Sequence, residues 1–212
     1  QTNAEDREFV LAMSATAPSG EIWTKEILEA HPRSPIAHTL AGKALVELAG
    51  KARGYDRARN VTAEGWKGFF AYLQQARDVL TKATELEPRD ASPWVGLQGC
   101  AIGLEEGLEE STRRFKQAVR RAPNLLAAHL VHMSALTPKW GGDFKQFSDF
   151  HWRVVAAAPS GHPLHVLACR ASIEDMIDAM FKDGAKVKPW EFLAQPHIVQ
   201  RVKTAYMNYF LS

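Results

Sequence analysis

A chain of 212 residues with 46% apolar and 24% charged side chains has the make-up of an ordinary globular protein, long enough to enclose a continuous core. Its net charge of +2 gives no field strong enough to argue for nucleic acid or an anionic membrane. No apolar run approaches the ~20 residues of a membrane span.

Two cysteines, Cys100 and Cys169, lie far apart in predicted helices. They read as buried free thiols of a reducing compartment, with a single disulfide as the lesser reading. Gln1 in place of Met marks a processed or trimmed chain and leaves room for a removed signal peptide; the thiols favour the cytoplasm.

Residues 5–16 predict a helix with Phe9, Val10 and Met13 on one side. Ala17-Pro18-Ser19-Gly20 breaks it, and a second helix runs from about Glu21 to Ala30 with Ile22, Trp23, Ile27 and Leu28. Residues 1–33 thus predict an N-terminal helical hairpin. Ser34-Pro35 opens a third helix, because serine caps well and proline suits the first helical position. Ala37, Leu40, Ala41, Ala44 and Leu45 form its apolar stripe, which stops near Gly50. The basic, glycine-broken stretch 50–61 is an insertion. Thr62 then caps a long helix to Glu87, with Trp66, Phe69, Phe70, Leu73, Ala76, Leu80 and Ala83 inward.

Ser92 to Pro123 reads as a helix, a short break and a second helix closed by proline, which cannot continue one. Val95, Gly99 and Ile102 share one face; Phe115, Ala118 and Val119 share another. Small residues at Gly99 and Ala118 let two antiparallel helices approach, and the bulky ones fill the gap. Asn124 caps a helix through Leu136. Thr137-Pro138-Lys139-Trp140-Gly141-Gly142 is a loop, and a helix over 144–157 ends before Pro159. His162-Pro163 starts a longer helix to about Phe181, 182–189 is a linker, and 189–212 supplies one or two terminal helices.

Closing prolines Pro88, Pro123 and Pro159 stand 35 and 36 apart, and opening prolines Pro93 and Pro163 stand 70 apart. Two independent markers give one period. On the tetratricopeptide pattern of about 34 residues, with Pro123 closing, the key sites fall on Val95, Gly99, Ile102, Ser111, Phe115 and Ala118, in the size classes the pattern wants. The chain resembles that superfamily best over 62–159 and more loosely over 34–181. Arg53-Gly54, Val61-Thr62, Gly65-Trp66 with Phe69, and Lys139-Trp140-Gly141-Gly142 are also similar to an uncharacterised bacterial family of tetratricopeptide-like proteins. The resemblance implies a single all-α domain over 1–212. Its core would be a right-handed superhelix of stacked antiparallel helix pairs over 34–181, with C-terminal helices over 189–212 as a cap. It also implies a concave face that binds a partner helix or peptide.

On that face Gly96, Cys100 and Gly103 step four and three along one side, leaving room for another backbone. The occupant is a partner, or the chain's own C-terminal helix, or simply a neighbouring helix. Arg53, Tyr55, Lys139 and Trp140, in the two loops of unusual content, are the candidate rim. The lysine and asparagine clamp of chaperone-binding superfamily members is absent from these positions.

His129 with His132, and His162 with His165, are i, i+3 pairs of metal-ligand spacing. No carboxylate lies at ligand spacing beside the first pair, and His162 suits a helix cap, so no metal is expected. Arg113, Arg114, Lys116, Arg120 and Arg121 follow Glu105, Glu106, Glu109 and Glu110. Pairs Glu109–Arg113 and Glu110–Arg114 predict a solvated, self-paired outer face. No stacking aromatics or reader motif accompany them, so no nucleic acid is expected. No nucleophile elbow, phosphate loop or His-Glu-x-x-His pattern occurs. The expectation is a non-enzymatic adaptor without cofactor. The alternatives are a metal-dependent or enzymatic site near the histidines and Trp140, or a nucleic-acid-associated regulator using the basic insertion.

Overall fold

The computed structural model describes residues 3–16, 20–54, 56–183 and 187–211. Among them are eleven α-helices and no strand, so the protein is all-α. Contacts divide the chain into two compact units, Gln1–Ala135 with Lys139–Gly141, and Leu136–Pro138 with Gly142–Ser212.

The first unit holds α1 (Ala4–Ala15), α2 (Gly20–Ala30), α3 (Pro35–Arg53), α4 (Ala63–Leu86), α5 (Ser92–Gly103), α6 (Gly107–Arg121) and α7 (Leu126–Ala135). Local chemistry sets the starts. The Ser34 hydroxyl accepts the Ala37 N–H at 3.2 Å, and the Thr62 hydroxyl accepts the Gly65 N–H at 3.0 Å. The end of α5 is tight: Glu105 adopts φ 56° and the Glu106 N–H reaches back to the Ala101 carbonyl at 3.0 Å.

Packing follows from the small residues. Leu80, fully buried on α4, stands where side chains at Gly42 and Gly96 would go; a Cβ there would lie 2.4 Å and 2.7 Å from its atoms. Nearer the start of α4, a Cβ on Gly68 would lie 3.0 Å from Ala52 Cβ, and one on Gly103 would lie 2.3 Å from Leu73 Cδ1. Numbers rise along α3 and α5 as they fall along α4. Helix α4 is therefore antiparallel to both, and α3 and α5 are parallel to each other. Contacts run α3–α5–α7 directly, while α4 joins α3 to α5 and α6 joins α5 to α7. Helix α5 carries no charged residue and is buried on nearly every side.

The N-terminal pair is arranged otherwise than the expected hairpin. Helix α2 packs on α3, and the main contacts of α1 are with α3 and α5. Its apolar side is also turned round. Phe9, Val10 and Met13 are 66%, 59% and 58% exposed, whereas Glu8, Leu11 and Ala15 are buried.

The second unit contains α8 (Phe144–Ala157), α9 (Leu167–Asp183), α10 (Pro189–Leu193) and α11 (Pro196–Phe210). Helix α9 packs on α8, α10 and α11. The expected helix from His162 begins instead as a 3-10 turn over Pro163–Val166, with His162 Nδ1 accepting the Leu164 N–H at 3.2 Å. The Gly161 N–H ties this turn to the Asn208 carbonyl at 2.8 Å. Arg201 bonds Asp175 at 2.6 Å and lies over the Trp152 ring.

Candidate helix-binding face and loop cleft

Gly96, Cys100 and Gly103 do share a face, but that face is filled by α4. Leu80 occupies the space beside Gly96; Leu73 and Phe69 occupy that beside Gly103; Cys100 is fully buried in the same cluster. The small residues serve close packing within the unit, and they leave no open groove. Burial pushes the Cys100 thiol up to about 12, so it carries no thiolate near neutrality.

A different face of the same helices is covered by α1. The Lys43 ammonium on α3 donates to the Glu8 carboxylate, and both side chains are buried. Arg7 donates to Asp90 at 2.6 Å, and Asp90 also accepts the Ser92 N–H at 3.0 Å where α5 begins. Glu5 accepts the first amide of α7, Leu126 N–H, at 2.6 Å. Asn124, expected to cap this helix, lies one residue too early, and a carboxylate 121 positions away takes that role. Burial pushes the Glu8 carboxyl up, against the lowering pull of Lys43. Three charged side chains of one helix therefore meet three separate elements. The sequence reading missed Glu5, Arg7, Glu8, Lys43 and Asp90. The available signal was Lys43 itself, a cation set among Ala41, Gly42, Ala44 and Leu45.

The loops are placed by the same helices. Arg53 lies over Trp66 at 5.2 Å, and Trp66 stacks on Phe70 and meets Phe69 edge-on. Tyr55 lies outside the described residues. Lys139 and Trp140 line an open cleft of about 230 Å³ against Ile102, Leu108 and Ser111, where α5 turns into α6. Phe69 is also near Gly103, so the Arg53 loop and this cleft lie at the same end of α4. Trp140 is 38% exposed, and it borders the cleft more than it covers the core. The glycines after it are required: Gly141 has φ 92°, and a Cβ on Gly142 would lie 2.1 Å from the Leu136 carbonyl oxygen. At the cleft, among the described residues, α6 starts without a side-chain cap and the buried Ser111 hydroxyl has no hydrogen-bond partner.

His129, His132 and His165 each make a contact within the fold. His129 donates from Nδ1 to the Leu125 carbonyl at 2.9 Å; His132 stacks flat on Phe115, centroids 4.1 Å apart. Burial lowers His132 to about 4, so it is neutral. His165 Nε2 bonds the Pro159 carbonyl at 3.0 Å. Among the described residues no three His, Cys, Asp or Glu side chains are grouped to hold a metal ion.

The basic run differs from the expected solvated face at one residue. Arg114 is 7% exposed; it donates to the Leu97 carbonyl and to Glu110, each at 2.6 Å, and pairs with Glu106, which also holds Arg77 at 3.0 Å. Arg113 pairs with Glu110, not Glu109, and the Arg113 and Arg114 guanidiniums hold the Glu110 carboxyl down at about 2. The acids N-terminal to the arginines thus clasp α4, α5 and α6 together.

No protein-family model matches the chain, and no curated protein or solved structure matches it. No helix among the described residues is long and apolar enough to cross a membrane.

Proposed function

We propose that the first unit is a tetratricopeptide-like stack acting as a protein-interaction adaptor, with α3–α4 and α5–α6 as successive helix pairs and α7 packed on the second. The 35-to-36-residue spacing of the closing prolines supports this, as does the shared use of Leu80 by Gly42 and Gly96. One observation carries the reading: the α3–α5–α7 layer holds a helix, α1, through charged side chains matched to each element. Partner binding buries surface on this layer, and the exposed Trp140 and Lys139 at the loop end set orientation. No bond is made or broken.

The test is capture of a stoichiometric protein by the full chain from the cells that make it. Binding should weaken at least about tenfold in Trp140→Ala, with the thermal transition unchanged, as expected of an aromatic anchor. Full-strength binding by that variant would remove Trp140 from the site. A purified chain that turns over a substrate and captures no protein would overturn the adaptor reading.

A further inference from the structure

Helix α1 is held in an unusual way. Its large apolar side chains, Phe9, Val10 and Met13, face solvent, and among its inward residues the apolar ones are Ala4, Leu11 and Ala15. Apolar burial is what makes a docked helix firm, and α1 contributes little of it. Its attachment is instead a set of matched polar pairs. Buried ion pairs of this kind fix register and partner choice, while desolvation takes back most of their attraction.

The receiving groups belong to three different elements. Lys43 is on α3, Asp90 precedes α5 and the Leu126 amide opens α7. Each is aimed at one side chain of α1. Nothing in the apolar packing of α3, α4 or α5 requires a buried ammonium at Lys43, and among the described residues its hydrogen bond goes to Glu8.

We propose that Lys43, Asp90 and the first amide of α7 form a receptor for a partner helix carrying two carboxylates three positions apart with a basic residue between them. Helix α1 occupies this receptor in cis and is displaced by such a helix. The proposal rests on the adaptor reading and names the partner's chemistry. Charge complementarity defines it: one carboxylate for the ammonium, one for the helix start, and one guanidinium or ammonium for Asp90. A helix with apolar residues in place of the two carboxylates would leave Lys43 buried and unpaired, and is excluded.

The experiment uses the full chain and a fluorescent peptide of residues 3–16. In wild type the receptor is taken, which lowers the apparent affinity by the fraction of time α1 is undocked. Glu5→Gln with Glu8→Gln in the chain should free it, and the peptide should then bind at least about tenfold more tightly. Adding Lys43→Met to that variant should abolish the gain, and a peptide carrying glutamine at both positions should not bind.

Equal peptide binding by wild type and the double variant overturns the proposal, as does binding that survives Lys43→Met. Hydrogen exchange covers loss of fold: if freeing α1 also unprotects α5 and α6, then α1 is an integral support, and the proposal fails. A wild-type dimer that Lys43→Met dissolves would put a second copy's α1 in the site and overturn the foreign partner. Peptide binding as expected, with no protein captured from cells, would leave the receptor standing and sink the adaptor reading.

Discussion

Leu80 on α4 fills the space that a side chain at Gly96 on α5 would need; a Cβ there would lie 2.7 Å from Leu80 Cδ1. Leu80 is fully buried and is pressed from the other side by Gly42, so it has nowhere to retreat. Gly96→Ala should therefore destabilise the protein by about 1–3 kcal/mol through overpacking. Urea unfolding measures it, and Leu80→Ala should cost less in the Gly96→Ala background than alone, because the two changes relieve each other.

Arg114 and Arg113 are neighbours in sequence and opposites in environment. Arg114 is buried among Glu106, Glu110 and the Leu97 carbonyl, whereas the Arg113 side chain is more than half exposed. Arg114→Ala takes one of two arginines from each of Glu106 and Glu110 and the side-chain donor from the Leu97 carbonyl, and should cost about 1–3 kcal/mol. Arg113→Ala should cost about 0–1 kcal/mol. Equal losses on chemical denaturation would contradict the buried clasp.

His132 gives the fold an acid-sensitive element. Its folded pKa is about 4, below the ordinary value of 6.5, because burial against Phe115 penalises the charged ring. Between these values the unfolded chain binds more protons. The stability tied to the neutral ring is therefore fully present above 6.5 and lost as pH falls towards 4, on the order of 3 kcal/mol in all. His132→Phe should flatten that part of the pH–stability profile, read from thermal midpoints between pH 7 and pH 4.

The two thiols should separate kinetically. Burial pushes Cys100 up to about 12 and raises Cys169 less, and Cys169 is only partly buried. Alkylation at pH 8 should modify Cys169 first, and Cys100 only as fast as the first unit opens. Mass spectrometry of peptides against time follows both.

Much of the helical layout was written in local chemistry. Ser34-Pro35, Thr62 and the prolines at 88, 93 and 123 punctuate the chain where the helices begin and end, and α8 covers 144–157 as expected. The Gly96, Cys100, Gly103 face was legible as a place of close approach. Which neighbour approaches was not, because a helix of the same unit and a foreign one require the same small residues. The fate of α1 was hidden for a related reason. Phe9, Val10 and Met13 look like a core face at helical spacing, and only Lys43, 35 positions from Glu8, and Asp90, 83 from Arg7, turn the other side inward. The Trp140 loop was recognisable by content, yet its cleft depends on where α5 meets α6.

The bond from Glu5 to the Leu126 amide spans 121 positions, so a ribosome makes the first partner long before the second. During translation α1 can meet Lys43 and then Asp90 well before the start of α7 has emerged, so its three attachments form in chain order and the Glu5 bond is the last of them.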